Sequence, residues 1–153
     1  MVKNVFKKLG KKQKNNKGFS LVELIVVIAI MAVLVGVLAP QLMKYVEKSR
    51  EATDIQNCDS IASSLKAYYS DKEDQTADVK IVIAGTGITT GASDAAIVDS
   101  GLNGAKLKGK NWTSITITYT PSKGSVSYEI AGGDDAYYKV DGTDSSKFIK
   151  NED

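Results

Sequence analysis

The chain has 153 residues, with 20 Lys and Arg against 18 Asp and Glu, one Cys and no His. Without His there is no Ser-His-Asp or Cys-His machinery and no imidazole metal ligand, and a lone Cys excludes an internal disulfide and a Cys-based zinc site. Apolar residues make up 42%, ordinary for a globular chain, but neither charge nor apolarity is evenly spread.

Residues 1–18 carry seven Lys (Lys3, Lys7, Lys8, Lys11, Lys12, Lys14 and Lys17) and no acid. Residues 19–153 then hold 13 basic and 18 acidic side chains, a net of −5. A slightly basic chain is thus a basic leader on an acidic body. From Leu24 to Met43 there are 20 residues without a charge, and Leu24 to Ala39 has no polar side chain. About 20 helical residues reach about 30 Å, roughly one hydrocarbon core. A core helix of a soluble domain shows a polar face. This one is apolar all round, which predicts a membrane-inserted helix. The preceding Lys cluster predicts a cytoplasmic N-terminus and an outward C-terminus.

One reading of this pattern is a secretory signal cut after Val37-Leu38-Ala39, releasing a secreted binding module. Pro40 directly after that cut, the long basic region and above all Glu23 count against it. A carboxylate in a membrane segment costs about 2.5–3.5 kcal/mol on insertion scales and is usually paired and functional.

Lys17-Gly18-Phe19-Ser20-Leu21-Val22-Glu23, followed by the charge-free run and Pro40, resembles the prepilin signature of type IV pilins. The resemblance covers about residues 17–50. It implies cleavage between Gly18 and Phe19 by a prepilin peptidase on the cytoplasmic side. It further implies N-methylation of Phe19, and filament assembly through Phe19 and Glu23. Gly36 and Pro40 stand where such helices loosen on assembly. The implied partners are further copies of the chain in a helical filament, the prepilin peptidase, an inner-membrane assembly platform and, before assembly, the lipid bilayer. The implied location is a single-pass membrane precursor that becomes an extracellular pilus supporting adhesion, twitching motility or DNA uptake. A pseudopilin of a secretion or competence apparatus is the neighbouring reading. Elementary chemistry fits the assembly role. Cleavage leaves a cationic amine on Phe19, and Glu23 of an incoming subunit can pair with it, offsetting a buried charge and fixing axial register.

Residues 41–70 read as a continuing helix, so that residues 19–70 form one long helix with an apolar half (19–43) and an amphipathic half (44–70). Leu42, Val46, Ile55, Cys58, Ile61, Ala62, Leu65, Tyr68 and Tyr69 recur at spacings of three and four, an apolar stripe. Lys44, Glu47, Lys48, Arg50, Glu51, Asp54, Asp59 and Lys66 are assigned to the other faces, with Arg50–Asp54 as an opposite-sign i,i+4 pair. Cys58 on the stripe reads as a small buried hydrophobe.

Residues 71–78 end the helix, and Val79 to Ala84 is a strand. The six glycines of residues 85–110 predict loops, with a short helix over Asp94–Ser100 capped by Ser93 and stopped by Gly101. They form no phosphate loop, because no Lys-Ser/Thr pair follows. Ile115, Ile117 and Tyr119 alternate with threonines, Pro121 to Gly124 turns, and Val126, Tyr128 and Ile130 return. Gly132 to Asp135 turns again, and Ala136–Val140 is read as the third strand of the meander. The expected fold is α+β, an antiparallel sheet packed on the outer half of the long helix. Residues 71–153 include 29 apolar residues among 83, too few for an independent core, so packing on the helix is expected to be obligatory. The lack of a cysteine pair closing a C-terminal loop is similar to pilins of Gram-positive bacteria.

Three weaker patterns have plain explanations. Asp134, Asp135, Asp141 and Asp144 lack EF-hand spacing and suit turns. Trp112, Tyr119, Tyr128, Tyr137 and Tyr138 suit cross-strand packing better than an adhesive patch. Lys106, Lys108 and Lys110 read as a solvated loop, and nucleic acid is not an expected partner of an acidic body. No cofactor, metal or catalytic residue is expected.

Overall fold

A computed structural model describes residues 18–152. The chain divides into two units, one ending at Met43 and one beginning at Lys44. The basic leader up to Lys17 lies outside the described residues.

Helix α1 spans Leu21–Tyr69, 49 residues. In the first unit it runs through the apolar stretch, and no residue from Leu21 to Met43 is buried. It is the one helix among the described residues long and apolar enough to cross a membrane. Pro40 lies inside it without ending it. Proline has no N–H to donate, so the carbonyl of Gly36, four residues earlier, loses its helical partner. The two residues singled out for helix loosening are thus the two ends of one missing hydrogen bond.

In the second unit a four-stranded antiparallel sheet has the order β2-β1-β3-β4, with β1 Val79–Ala84, β2 Gly87–Thr90, β3 Trp112–Thr120 and β4 Ser125–Gly132. Ile81 faces Ile117 across β1–β3, and Ile117 faces Tyr128 across β3–β4. The period-two pattern in β3 puts Ile115, Ile117 and Tyr119 inside. Cys58, Ile61, Ala62 and Leu65 of α1 close the same core. Tyr69 at the helix end stacks on Tyr119, ring centroids 6.0 Å apart. The α+β expectation therefore stands, with the amphipathic part of the helix as part of the core of a sheet too small to bury itself.

Four local expectations change. The apolar stripe begins later than predicted, because Leu42 and Val46 are exposed. The glycine-rich region is not all loop: Gly87–Thr90 pairs with β1 as an edge strand too short for its pattern to register. Helix α2 covers Ala95–Asp99, and its cap is Asp94 rather than Ser93, the Asp94 carboxylate accepting from the Ala96 N–H at 3.0 Å. The other Asp94 oxygen accepts from the Tyr69 hydroxyl at 2.7 Å, tying α2 to the end of α1.

The fourth change is topological. The third strand of the meander does not pair with β4. Instead β5 Tyr138–Val140 pairs with β6 Phe148–Lys150 as a separate two-stranded sheet. Gly132 and Gly133 take φ of 68° and 111°, which only glycine adopts easily, and turn the chain off the β4 edge. The second sheet is tied back by the Tyr128 N–H donating to the Ser145 carbonyl at 2.7 Å and by contact of the Tyr128 and Phe148 rings.

Leu65 is fully buried between helix and sheet. Leu65→Ala should lower the unfolding free energy by about 2–5 kcal/mol in urea denaturation of the full chain in detergent. Val98→Ala, at a residue 49% exposed, should change it by no more than about 0.5 kcal/mol.

Candidate functional site

Two arrangements stand out, one in each unit. In the first, Gly18 and Phe19 precede the helix in exposed backbone, and Phe19 is 83% exposed. The next residues form a reciprocal cap. The Ser20 N–H donates to the Glu23 carboxylate, and the Glu23 N–H donates to the Ser20 hydroxyl, both at 3.3 Å. This is a capping box, in which two helix-start donors are satisfied by side chains three residues apart. A carboxylate in the first turn also suits the positive end of the helix dipole. Ser20-Leu21-Val22-Glu23 spells this box in the sequence, although only pairing was expected of Glu23. Gly18, Phe19 and Glu23 are thus grouped at the helix start, while Gly36 and Pro40 lie several turns on. A Cβ added to Gly36 would meet nothing within 4 Å. Packing among the described residues therefore does not require a glycine there.

In the second unit, α1 presents carboxylates on successive turns at Glu47, Glu51 and Asp54, of which Glu51 and Asp54 are fully buried. This corrects their assignment to the solvent faces. Steps of three and four residues run Glu51, Asp54, Cys58, Ile61, so the acids continue the buried stripe. Arg50 does not pair with Asp54 either; its guanidinium lies 3.8 Å from Glu47.

Both Asp54 oxygens are occupied. One accepts from the Lys108 N–H at 2.8 Å, the other from the Gly109 N–H at 2.7 Å and the Trp112 indole at 3.0 Å. Glu51 accepts from the Asn111 amide at 2.9 Å and the Tyr137 N–H at 2.7 Å. Glu47 accepts from the Lys110 N–H. Five residues beyond Asp54, the exposed Asp59 accepts from the Tyr128 hydroxyl at 2.8 Å. Gly109 is a packing requirement, because a Cβ there would come within 2.8 Å of the Trp112 indole nitrogen and 2.9 Å of Asp54. The ladder grips residues 108–112 and Tyr137 by their N–H groups, and charge-assisted bonds of this kind are roughly twice as strong as neutral ones.

Burial pushes the Glu51 carboxyl above its ordinary value, with the neighbouring Glu47 charge adding to the rise and the Asn111 and Tyr137 donors opposing it. Burial likewise raises the Cys58 thiol to about 12, which makes it inert as a nucleophile. Among the described residues no buried side-chain nitrogen or oxygen lacks a hydrogen-bond partner. The buried carboxylates Glu51 and Asp54 are therefore fully engaged by donors of this chain.

The remaining candidates fall into place around these. Asp141 accepts from the Thr143 N–H and hydroxyl, and Asp144 from Ser146 and the Lys147 ammonium. No group of three His, Cys, Asp or Glu suited to a metal ion occurs among the described residues. Trp112, Tyr119 and Tyr128 are buried, and Tyr137 and Tyr138 are partly buried. These aromatics pack rather than form an exposed platform.

The prokaryotic N-terminal methylation motif matches residues 13–39. Fimbrial protein EcpC of Eikenella corrodens is 28% identical over 136 residues, covering 80% of this chain and 86% of that protein. The type IV wide pilus major component of Thermus thermophilus is 27% identical over 113 residues, covering 72% and 86%. Prepilin peptidase-dependent protein A of Clostridium perfringens is 38% identical over 64 residues, covering 40% and 46%. No solved structure matches the chain significantly.

Two measurements test the ladder. Asp54→Ala leaves three donors without their acceptor and should cost about 3–5 kcal/mol in urea denaturation of the full chain in detergent. Carboxyl titration followed by NMR should give Glu51 a midpoint above 4.5 and Asp144 one near 2. For Glu51 the folded chain holds its proton more tightly than the unfolded one. Its contribution to stability is therefore full below about 4.5 and is lost as pH rises through the raised folded value. Asp144, held low chiefly by the Ser146 hydroxyl and by Lys147, has the opposite sign. Its contribution is present above the ordinary carboxylate range and is lost as pH falls toward 2.

Proposed function

We propose, for a chain whose motif, fold and relatives support a type IV pilin, the role of a cleaved, self-assembling filament subunit. The observation that carries this reading is the N-terminal constellation. The methylation motif at residues 13–39 overlaps a helix that begins at Leu21 and carries no charged side chain from Leu24 to Met43. The function is structural, with no reaction of the chain's own.

In this reading residues 1–18 are a leader, 19–70 the long helix and 71–153 the head. The precursor sits in the cytoplasmic membrane with its Lys-rich end inside. Prepilin peptidase cuts between Gly18 and Phe19, where the absent Gly18 side chain leaves room for a protease subsite, and Phe19 is then N-methylated. Glu23 shares its capping box with Ser20 before assembly, so its charge is held in the membrane without a cationic partner. On assembly the Phe19 amine of a neighbouring copy supplies that cation. Pro40 and Gly36, already one hydrogen bond short, provide the place where the helix loosens. An inner-membrane platform drives the extraction, and the heads form the outer surface of the filament. A long pilus is favoured over a short pseudopilin piston because two relatives covered to 86% are named as a fimbrial protein and a pilus major component.

Mass spectrometry of the mature N-terminus decides the processing step: an N-methylated Phe19 is expected, whereas a chain beginning at Pro40 would support release by signal peptidase. Glu23→Ala should leave cleavage intact and reduce subunits in sheared surface fibres about tenfold or more, the loss of a buried charge pair. Normal fibre yield from that variant would refute the pairing.

A further inference from the structure

The three lysines that read as a solvated loop are held in a specific way. The N–H groups of Lys108 and Lys110 and of Gly109 between them donate into the carboxylate ladder. Leu107 is buried, and its N–H donates to the Ala84 carbonyl at the end of β1. The backbone is therefore fixed at four successive residues, while the side chains of Lys106, Lys108 and Lys110 are exposed. None of the three ammonium groups forms an ion pair with a carboxylate of the ladder. The two ion pairs among the described residues are Arg50–Glu47 and Lys147–Asp144. Three ammonium groups within five residues repel one another and form a preorganised cationic ridge.

The opposite charge lies at the other end of the same unit. Segment 71–78 exposes Asp71, Glu73, Asp74 and Asp78 against one lysine, Lys72, whose ammonium sits 3.5 Å above the Tyr68 ring. Among the described residues none of the four carboxylates is in an ion pair. The segment leaves α1 at Tyr69 and enters β1 at Val79. The ridge is fastened to Asp54 on α1 and to Ala84 at the far end of β1. Along the helix that separation is about 22 Å, and along the strand about 17 Å. Both elements place the two segments at opposite ends of the unit, too far apart to satisfy each other within one chain. Lys66 beside the acidic segment, and Asp134 and Asp135 close in sequence to Tyr137, make no ion pair with either.

Two different, complementary patches at opposite ends make a heterologous contact, the type that propagates into a helical filament instead of closing on itself. We propose that the Lys106–Lys108–Lys110 ridge docks the acidic segment 71–78 of a second copy of this chain. This rests on the filament-subunit reading and adds the head-to-head contact between successive subunits to the pairing at Glu23. Charge complementarity of this kind sets register and rejects wrong partners, and like-charge apposition is strongly unfavourable.

The test uses the full chain in cells that assemble it, with fibres sheared and quantified. Lys106→Glu/Lys108→Glu/Lys110→Glu should reduce fibre yield by about tenfold, as should Asp71→Lys/Glu73→Lys/Asp74→Lys, and the two sets combined should restore yield to within about twofold. Unaltered fibres should also loosen as salt rises from 0.15 to 1 M, where the screening length falls from about 8 to about 3 Å. Normal yield from both single-face variants, or a combined variant no better than its parents, would overturn the contact while leaving the subunit reading intact. Failure of the unaltered chain to enter fibres overturns both. Processing at Gly18 in every variant, read by mass spectrometry, confirms that a lost fibre reflects assembly and not insertion.

Discussion

The second unit depends on one helix face that is apolar over its last turns and acidic over the turns before them. Cys58, Ile61, Ala62 and Leu65 give the sheet its hydrophobic cover, and Glu47, Glu51 and Asp54 hold the segment that leads into β3. Neither half suffices alone. A sheet of short strands without disulfides buries little apolar area, and buried carboxylates stabilise only when all their lone pairs are engaged. Placed end to end on one helix, they position β3, and through it β1 and β4.

Much of this was legible in the sequence. The charge-free run, Glu23 and Pro40 marked the first unit, because lipid imposes a requirement so strict that a single window displays it. The alternation in β1, β3 and β4 was equally plain. What escaped was polar. Glu51 and Asp54 fall at the spacing of the buried stripe, but an acid at a buried position looks like an acid at a solvated one until its donors are known. Those donors are 54 to 86 residues away in the chain. The Ser20–Glu23 box escaped for a different reason. It was legible, but the same Glu was already assigned to a partner in another subunit.

The short elements failed on local grounds. β2 has four residues and draws its stability from pairing with β1, not from a pattern of its own. The placement of β5 in a second sheet follows from two consecutive positive-φ glycines whose effect depends on where β4 ends. Ser93 and Asp94 are both good caps, and Asp94 also accepts from the Tyr69 hydroxyl, a tertiary bond that no local rule contains.

The grip of the ladder on backbone has a consequence for how this surface can change. Glu47 and Asp54 between them hold Lys108, Gly109 and Lys110 by N–H groups, which every residue but proline possesses. The side chains at 108 and 110 thus take no part in holding the ladder together, while Gly109 and Trp112 are fixed by contact with Asp54. The outward residues of this segment can therefore be exchanged, together with whatever surface they meet, without disturbing the fold beneath.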